Sequence, residues 1–323
     1  MTVVSRRVAI SALGIGAVLP AIQASDASAV DSSATTSASE IPGLRMGYAD
    51  GPYGQIHYRS VRPKASRNLP VMCFHTSPIS SVVYDKFLLE LGSDRWAIAV
   101  DTPGYGGSAP PPQPANWLHT RPTVQIKDYA KAMIALMDQL GIKKINLFGH
   151  HTGSSNATEV ARTIPDRVQR VVLVSAPVFT PEEVENFYKT WFNPPEPLSY
   201  PDYLREHLRL WDSRRVALKE VSDERFVDFV IEWQRSYPRE RWSGTAVMVY
   251  AAEIARNISE LPQPILLLNP LNDDIPVQTK RAAKLPQNPR SRYQELPGWG
   301  FGCLDGHAAE LTNLVRQFLT DKT

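Results

Sequence analysis

The chain has 323 residues, a formal net charge of +2 and a hydrophobic fraction of 43%. This length allows one large domain or two small ones, each with a sizeable core. The near-neutral charge argues against nucleic acid or an anionic membrane surface as the main partner. No run of about 20 apolar residues is present, so insertion into a membrane is not expected.

Residues 1–29 are predicted to be a targeting segment. Arg6 and Arg7 precede an apolar stretch and a small-residue cleavage site at 27–29, an order that resembles a twin-arginine export signal. A disordered basic N-terminus is the alternative. The signal predicts a periplasmic or secreted protein, with residues 30–41 as a flexible leader rich in Ser, Ala and Thr.

The folded part is predicted to open with a β-hairpin and to continue as strands that alternate with helices. Such alternation implies right-handed crossovers and a mostly parallel, doubly wound sheet. A glycine at position 141 is a plausible C-cap for the helix before it. The predicted strands are 46–49, 55–58, 69–75, 96–100, 145–149, 168–175, 264–268 and 293–296, and the predicted helices are 124–140, a stretch ending near 163, 203–217, 223–237 and 308–319.

The sequence Gly-His-His-Thr-Gly at 149–153 follows an apolar strand and precedes a helical stretch. Strand, sharp turn and helix are the context of a nucleophile elbow, whose pattern is Gly-x-nucleophile-x-Gly. Gly149 and Gly153 lack a Cβ, so strand and helix can approach closely around the turn. The middle residue is His151, where a hydrolase would carry Ser, Cys or Asp. Ser154 and Ser155 read as helix-start residues rather than nucleophiles.

Three segments together resemble the α/β-hydrolase superfamily. They are the loop at 74–78, the loop at 101–108 and the elbow at 149–153, which lie in the order and spacing of that family. The resemblance covers roughly residues 43–321 and implies an α/β-hydrolase fold with a helical cap after the sixth strand. The implied organisation is a core formed by 42–177 and 262–323 and a cap formed by 178–261.

Aromatic residues are frequent in the predicted cap. They could line a pocket from above, or they could form the small core of the cap itself. The candidates are Trp191, Phe192, Trp211, Trp233, Tyr237 and Trp242.

The family's catalytic groups transfer to this chain only in part. The resemblance implies an oxyanion hole formed by the backbone N–H groups of Ser77 and Thr152. Asp273, with Asp274 close behind, follows a strand where the family places its acid; ordinary turn chemistry is the alternative. The family's histidine follows a Pro-Gly-x-Gly turn, but here the next residue is Phe301.

His307 lies later, at the start of the closing helix, and is the candidate base if the loop swings it inward; a surface histidine is the alternative. His151 is the other candidate, as a general base or, less favoured, as a nucleophile, because imidazole titrates near neutral pH. Cys303 is a less favoured nucleophile, and Cys73 is expected in the core. No disulfide is expected.

No metal site is predicted, because the histidines are scattered apart from the pair His150 and His151, and neighbours at a sharp turn are expected to point apart. No cofactor is predicted either, because no Gly-rich phosphate or dinucleotide fingerprint is present. The favoured reading is an exported enzyme that hydrolyses a small or medium carbonyl compound such as an ester or lactone. Lyase or isomerase chemistry with His151 moving a proton is the second reading. A non-catalytic binding protein is the third. Substrate identity and oligomeric state stay open.

Overall fold

A computed structural model describes residues 43–113, 123–191 and 199–321, so the predicted signal peptide and leader lie outside the described residues. An eight-stranded sheet forms its centre, in the order β1-β2-β4-β3-β5-β6-β7-β8. The pairs β1·β2 and β2·β4 are antiparallel, and all others are parallel. The strands are β1 (Arg45–Gly51), β2 (Gly54–Val61), β3 (Val71–Phe74), β4 (Ala97–Val100), β5 (Ile145–His150), β6 (Val168–Val174), β7 (Ile265–Asn272) and β8 (Arg292–Gly300).

Helices cover both faces of this sheet, as the predicted fold class requires. Four of them, α4 to α7, occupy the interval between β6 and β7, which we call the insertion. No helix within the described ranges is long and apolar enough to cross a membrane. The helices are α1 (Asp85–Leu91), α2 (Ile126–Gln139), α3 (Thr152–Thr163), α4 (Pro181–Trp191), α5 (Tyr200–Ala217), α6 (Asp223–Arg235), α7 (Trp242–Glu260), α8 (Pro276–Ala282), α9 (Cys303–Gly306) and α10 (Ala308–Thr320).

The central strands are buried on both faces because their side chains alternate between two hydrophobic cores. In β3, Met72 and Phe74 contribute to one core, whereas Val71 and Cys73 contribute to the other. Such strands read as continuous apolar runs. Because β3, β5, β6 and β7 are parallel, their carboxyl ends meet at one edge of the sheet, where the loops carrying polar residues begin.

The hairpin, the sheet strands and the closing helix are confirmed. The predicted end of β8 was wrong: the Pro-Gly-x-Gly segment at 297–300 was predicted as a turn but is strand, because β8 stays paired with β7 as far as the partners Asn272 and Gly300. For the same reason β7 extends to Asn272, and the acidic loop begins only at Asp273.

Candidate active site

His151 lies at the turn between β5 and α3, in the strained backbone conformation that an elbow requires. Its φ is 51° and its ψ is −116°, a region that non-glycine residues rarely adopt. A Cβ on Gly153 would lie 1.8 Å from the carbonyl oxygen of Phe74, and one on Gly149 would lie 2.2 Å from the Gly153 carbonyl oxygen. Strand and helix therefore close around the turn only because both positions are glycine.

Asp273, the first residue after β7, is hydrogen-bonded directly to the elbow histidine. The distance from His151 Nε2 to Asp273 Oδ1 is 2.8 Å. The hydroxyl of Ser175 donates to Oδ2 of the same carboxylate at 3.0 Å, and the N–H of Ile275 donates to Oδ1 at 3.2 Å. Only 1% of the Asp273 side chain is exposed, so three donors fix the carboxylate in the protein interior.

The charge state of Asp273 determines which imidazole nitrogen of His151 can accept a proton from another molecule. Burial by itself would raise the pKa of Asp273, but the charge of His151 and the hydrogen bond from it outweigh burial and lower the pKa to about 2. An ionised carboxylate only accepts hydrogen bonds. In the neutral imidazole, Nε2 therefore carries the proton that bonds Asp273, and Nδ1 keeps the lone pair that can accept a proton.

His150 and Phe301 pack around this His–Asp dyad. The ring centroids of Phe301 lie 4.9 Å from His151 and 5.4 Å from His150. His150 is 1% exposed and neither of its ring nitrogens has a hydrogen-bond partner in the described structure. Burial, with a further contribution from His151, lowers the pKa of His150 to about 3. His150 is therefore neutral at physiological pH.

The expectation that the two histidines point apart was wrong. Their ring centroids are 4.8 Å apart, with the rings nearly perpendicular, and both rings contact the ring of Phe301. One ligand atom from each of His150, His151 and Asp273 falls within 4.8 Å of the others, and in the described part of the chain these residues could hold a metal ion. Zinc sits about 2.0–2.2 Å from each ligand, so two of its ligand atoms can be at most roughly 4.4 Å apart. Ligand atoms separated by up to 4.8 Å would therefore have to move closer together to bind one ion.

The predicted oxyanion donors lie beside this dyad. Thr152 is the first residue of α3, so its N–H has no acceptor within the helix and carries the positive end of the helix dipole. Ser77 follows the end of β3 and lines the same pocket as His151 and Thr152. The two residues that the family pattern assigns to the oxyanion hole, Ser77 and Thr152, therefore line one pocket together with His151.

Asp101 holds the loop that carries Ser77. Its Oδ1 accepts a hydrogen bond from the Ser81 N–H at 2.8 Å, and its Oδ2 lies 2.7 Å from Nδ1 of His57. Burial would raise its pKa, but these hydrogen bonds and the charges of His75 and His57 lower the pKa of Asp101 to about 2. The loops after β3 and β4 are thus tied together by a buried carboxylate.

The pocket above the dyad has a volume of about 190 Å³. Core loops form its floor, and residues of the insertion form much of the rest. Of the predicted cap aromatics, Trp233 lines it, whereas Trp242 is 3% exposed and belongs to the core. The residues that line the pocket are Thr76, Ser77, Pro78, Ile79, His151, Thr152, Pro177, Phe179, Phe187, Trp233, Glu240, Gly244, Val247, Met248, Asp274, Ile275 and Phe301.

Other predicted residues lie elsewhere. His307 does not line this pocket: its ring stacks on Trp299 at 4.3 Å, and Nε2 lies 3.3 Å from a carboxylate oxygen of Glu220. Cys303 is fully buried, and burial raises its thiol pKa well above the usual range, which disfavours the reactive thiolate. Tyr237 packs against other tyrosines of the insertion. Phe192 and the side chains of Trp191 and Trp211 lie outside the described structure.

Sequence reasoning missed Ser175, Phe187 and Glu240. Ser175 has a positive φ of 54° immediately after β6, and its hydroxyl holds Asp273. Phe187 and Glu240 lie in the insertion, where the only available signal was composition. A serine at the end of a predicted central strand was the one clue that could have singled out Ser175.

A family model described as "alpha/beta hydrolase fold" matches residues 70–257. The chain belongs to this family. The zearalenone hydrolase of Cladophialophora bantiana is 27% identical to it over 165 residues, which cover 49% of this chain and 57% of that protein. The homoserine O-acetyltransferase of Natronomonas pharaonis is 34% identical over 91 residues, or 26% of this chain and 23% of that protein. The chain thus spans 23% and 57% of the lengths of these curated relatives.

Solved structures agree with the fold. The enol-lactonase from Burkholderia xenovorans LB400 superposes with a TM-score of 0.65 at 18% identity, covering 85% of this chain and 100% of that chain. An epoxide hydrolase from an endophytic Streptomyces superposes with a TM-score of 0.66 at 18% identity, covering 86% and 95%. The predicted superfamily and fold class are confirmed, and hydrolases are prominent among these similar proteins.

Proposed function

We propose that the protein hydrolyses a small or medium carbonyl compound, such as an ester or lactone, with His151 as the general base that activates water. The single observation that supports this most is the 2.8 Å hydrogen bond between Nε2 of His151, at the elbow, and Asp273. Asp273 orients the imidazole and stabilises its protonated form, as the acid of a triad does for a separate histidine.

In this reaction, Nδ1 of His151 takes a proton from a water molecule as that water attacks the carbonyl carbon. The developing oxyanion accepts hydrogen bonds from the N–H groups of Thr152 and Ser77. The protonated imidazole then returns the proton to the leaving oxygen when the tetrahedral intermediate collapses. The insertion acts as a cap that limits the access of other water molecules to the site.

The same dyad could remove a proton from a substrate carbon, which is the basis of a second candidate function as a lyase or isomerase. The observation that favours it is the residue type at the elbow: histidine is an efficient base but an uncommon nucleophile. The oxyanion donors would then stabilise an enolate instead of a tetrahedral intermediate. The two reactions differ in the atom that enters the product.

The test is turnover in isotopically labelled water, with an ester or lactone that the wild-type protein accepts. Hydrolysis should place one ¹⁸O atom from H₂¹⁸O in the acid product, and an activated aryl ester should show no burst of phenol release. A burst equal to the enzyme concentration would indicate an acyl-imidazole on His151. Deuterium from D₂O in the product carbon skeleton without ¹⁸O would indicate the lyase or isomerase reaction.

A further inference from the structure

Glu220, in the connection between α5 and α6 of the insertion, lies against the end of β8 and the short helix α9. Its Oε1 accepts a hydrogen bond from the Gly300 N–H at 2.6 Å, and only 7% of its side chain is exposed. A Cβ on Gly300 would lie 2.6 Å from Glu220 Oε1, and one on Gly306 would lie 2.5 Å from Glu220 Cβ. The two glycines therefore leave a groove that the glutamate fills.

The connection that carries Glu220 is itself held in place. Nη1 of Arg215 donates to the carbonyl oxygens of Leu218 and Val221 at 2.9 and 3.0 Å. The side chains of Leu218 and Val221 are buried in the same hydrophobic core as residues of α9. Glu220 therefore reaches Gly300 from a backbone that is fixed on both sides of it.

Gly300 marks the position where both partners of His151 leave the sheet. It pairs with Asn272, and these two residues are the last partners of β8 and β7. The next residue after β8 is Phe301, whose ring packs on the His151 ring at 4.9 Å. The next residue after β7 is Asp273, which bonds Nε2 of His151 at 2.8 Å. A shift at this end of the sheet would therefore move both groups that orient the imidazole.

The carboxyl group of Glu220 makes a second contact through its other oxygen. Nε2 of His307 lies 3.3 Å from Oε2, and 29% of the His307 side chain is exposed. Burial raises the pKa of Glu220, whereas the Gly300 N–H and the charge of His307 act in the opposite direction. In either protonation state the carboxyl group keeps an oxygen that accepts a hydrogen bond. The bond to Gly300 uses Oε1 and therefore does not depend on His307.

We propose that Glu220 is a positioning residue of the active site, which acts by holding the Gly300 N–H. This bond fixes the ends of β7 and β8, so that Asp273 and Phe301 keep the His151 imidazole in its working orientation. For its effect on turnover, the inference rests on the proposed function. A displacement of about 1 Å of a reacting group can cost roughly a hundredfold in rate. The insertion then contributes to the reaction as well as to the pocket walls.

Three substitutions of Glu220 separate position from charge. Glu220→Gln removes the charge but keeps an acceptor oxygen at the same reach. Glu220→Asp keeps the charge but is one methylene shorter, so it does not reach the Gly300 N–H without a backbone movement. Glu220→Ala has neither charge nor reach and serves as a second short variant that buries no charge. The melting curve of each variant checks that it folds.

Glu159→Asp is the matched control, because it shortens another buried glutamate that links the core to the insertion. Glu159 is 4% exposed and accepts a hydrogen bond from the hydroxyl of Tyr250, in α7, at 3.0 Å. It lies in the second half of α3 and not at the ends of β7 and β8. A general loosening of the insertion would therefore affect this variant as well.

Steady-state kinetics with an ester or lactone that the wild type accepts measures the consequence. We expect Glu220→Asp and Glu220→Ala to lower kcat roughly ten- to hundredfold with little change in KM. Glu220→Gln and Glu159→Asp should keep kcat within about twofold of wild type, because the Gly300 bond is retained. Wild-type kcat in the two short variants, or an equal loss in Glu220→Gln, would overturn the proposal.

A spectroscopic measurement separates this proposal from the proposed reaction. In ¹⁵N-labelled protein, the Nε2 proton of His151 exchanges with solvent at a rate that reports how firmly the dyad is held, and His151→Ala identifies its signal. Exchange should be at least about tenfold faster in Glu220→Asp and Glu220→Ala than in wild type and Glu220→Gln.

The two proposals then fail in different ways. If the reaction is wrong but the positioning is right, exchange still changes in this pattern although no ester is turned over by His151. If the positioning is wrong but the reaction is right, hydrolysis depends on His151 while exchange and kcat are the same in every Glu220 variant.

Discussion

In the mechanism that we propose, His151 places the general base at the position where related enzymes carry their nucleophile. Because Asp273 reaches this residue directly, no third residue is needed to connect acid and base. Phe301, at the position where the family has its histidine, packs on the His151 ring at 4.9 Å. The family's nucleophile is thus replaced by His151 and the family's histidine by Phe301. With both replacements, His151 and Asp273 form a two-residue dyad.

Asp273→Asn should lower kcat by roughly 10²- to 10⁴-fold, because the amide cannot stabilise the protonated imidazole and can favour the other tautomer of His151. Substrate binding should change little. Steady-state kinetics with the wild-type substrate check this, and the binding of an unreactive amide serves as the control. A kcat near that of wild type would show that Asp273 is only a structural turn residue.

His150 should make stability depend on pH. The pKa of His150 in the folded protein, about 3, lies below the ordinary value near 6.5. Between these two values the His150 imidazole is protonated in the unfolded chain but stays neutral in the folded protein. The stabilisation is complete above pH 6.5 and decreases as the pH falls towards 3. Between pH 7.5 and 5.5, the free energy of unfolding should fall by about 1 kcal/mol more in wild type than in His150→Gln.

Denaturant unfolding of both proteins at several pH values measures this difference, because every other titrating group is shared. Parallel curves for wild type and His150→Gln across that range would mean that His150 is protonated as readily in the folded protein as in the unfolded chain.

At the scale of secondary-structure elements, the close packing of β3, β5 and α3 sets the position of the dyad. Gly153→Ala should destabilise the protein by several kcal/mol, or prevent folding, because its Cβ would overlap the Phe74 carbonyl oxygen at 1.8 Å. Gly244→Ala is the matched control, since in α7 a Cβ would only make an ordinary contact of 3.5 Å with Phe187. Equal melting temperatures for the two variants would contradict the elbow geometry.

Sequence patterns predicted the elements whose packing is local and periodic. The buried strands, the hairpin and α10 follow from runs and periodicities that their own residues carry. The course of β8 through 297–300 could not be predicted, because Pro-Gly-x-Gly is typical of a turn and only pairing with β7 keeps it extended. In the insertion, α4 and α7 were not singled out, since their apolar residues pack partly on the core and partly on each other.

The individual residues of the candidate site could be predicted from the sequence, but the contacts between them could not. His151, Asp273, Ser77 and Thr152 were each named from the family pattern, but the direct bond between His151 and Asp273 was not foreseen. The two residues are 122 positions apart, and their contact depends on where β7 ends. The pattern instead suggested a separate base, His307, which the structure places against Trp299 and Glu220.

At the scale of the whole molecule, we propose that the chain is exported through its twin-arginine segment to the periplasm or beyond. Replacing Arg6 and Arg7 together by lysine should block export and leave the precursor in the cytoplasm, because that pathway recognises the arginine pair. Cell fractionation and N-terminal sequencing check this, with Arg45→Lys as a control outside the segment. Continued export with cleavage near Val30 would contradict the proposal.

The central claim is that the His151 imidazole is the working base, and the turnover number of His151→Ala tests it most directly. We expect kcat to fall by at least about a hundredfold, while the affinity for an unreactive amide and the melting temperature stay close to those of wild type, since the group acts mainly in the transition state. His307→Ala, altered at a histidine outside the pocket, should keep wild-type turnover. Full activity in His151→Ala, with or without loss of activity in His307→Ala, would contradict the account.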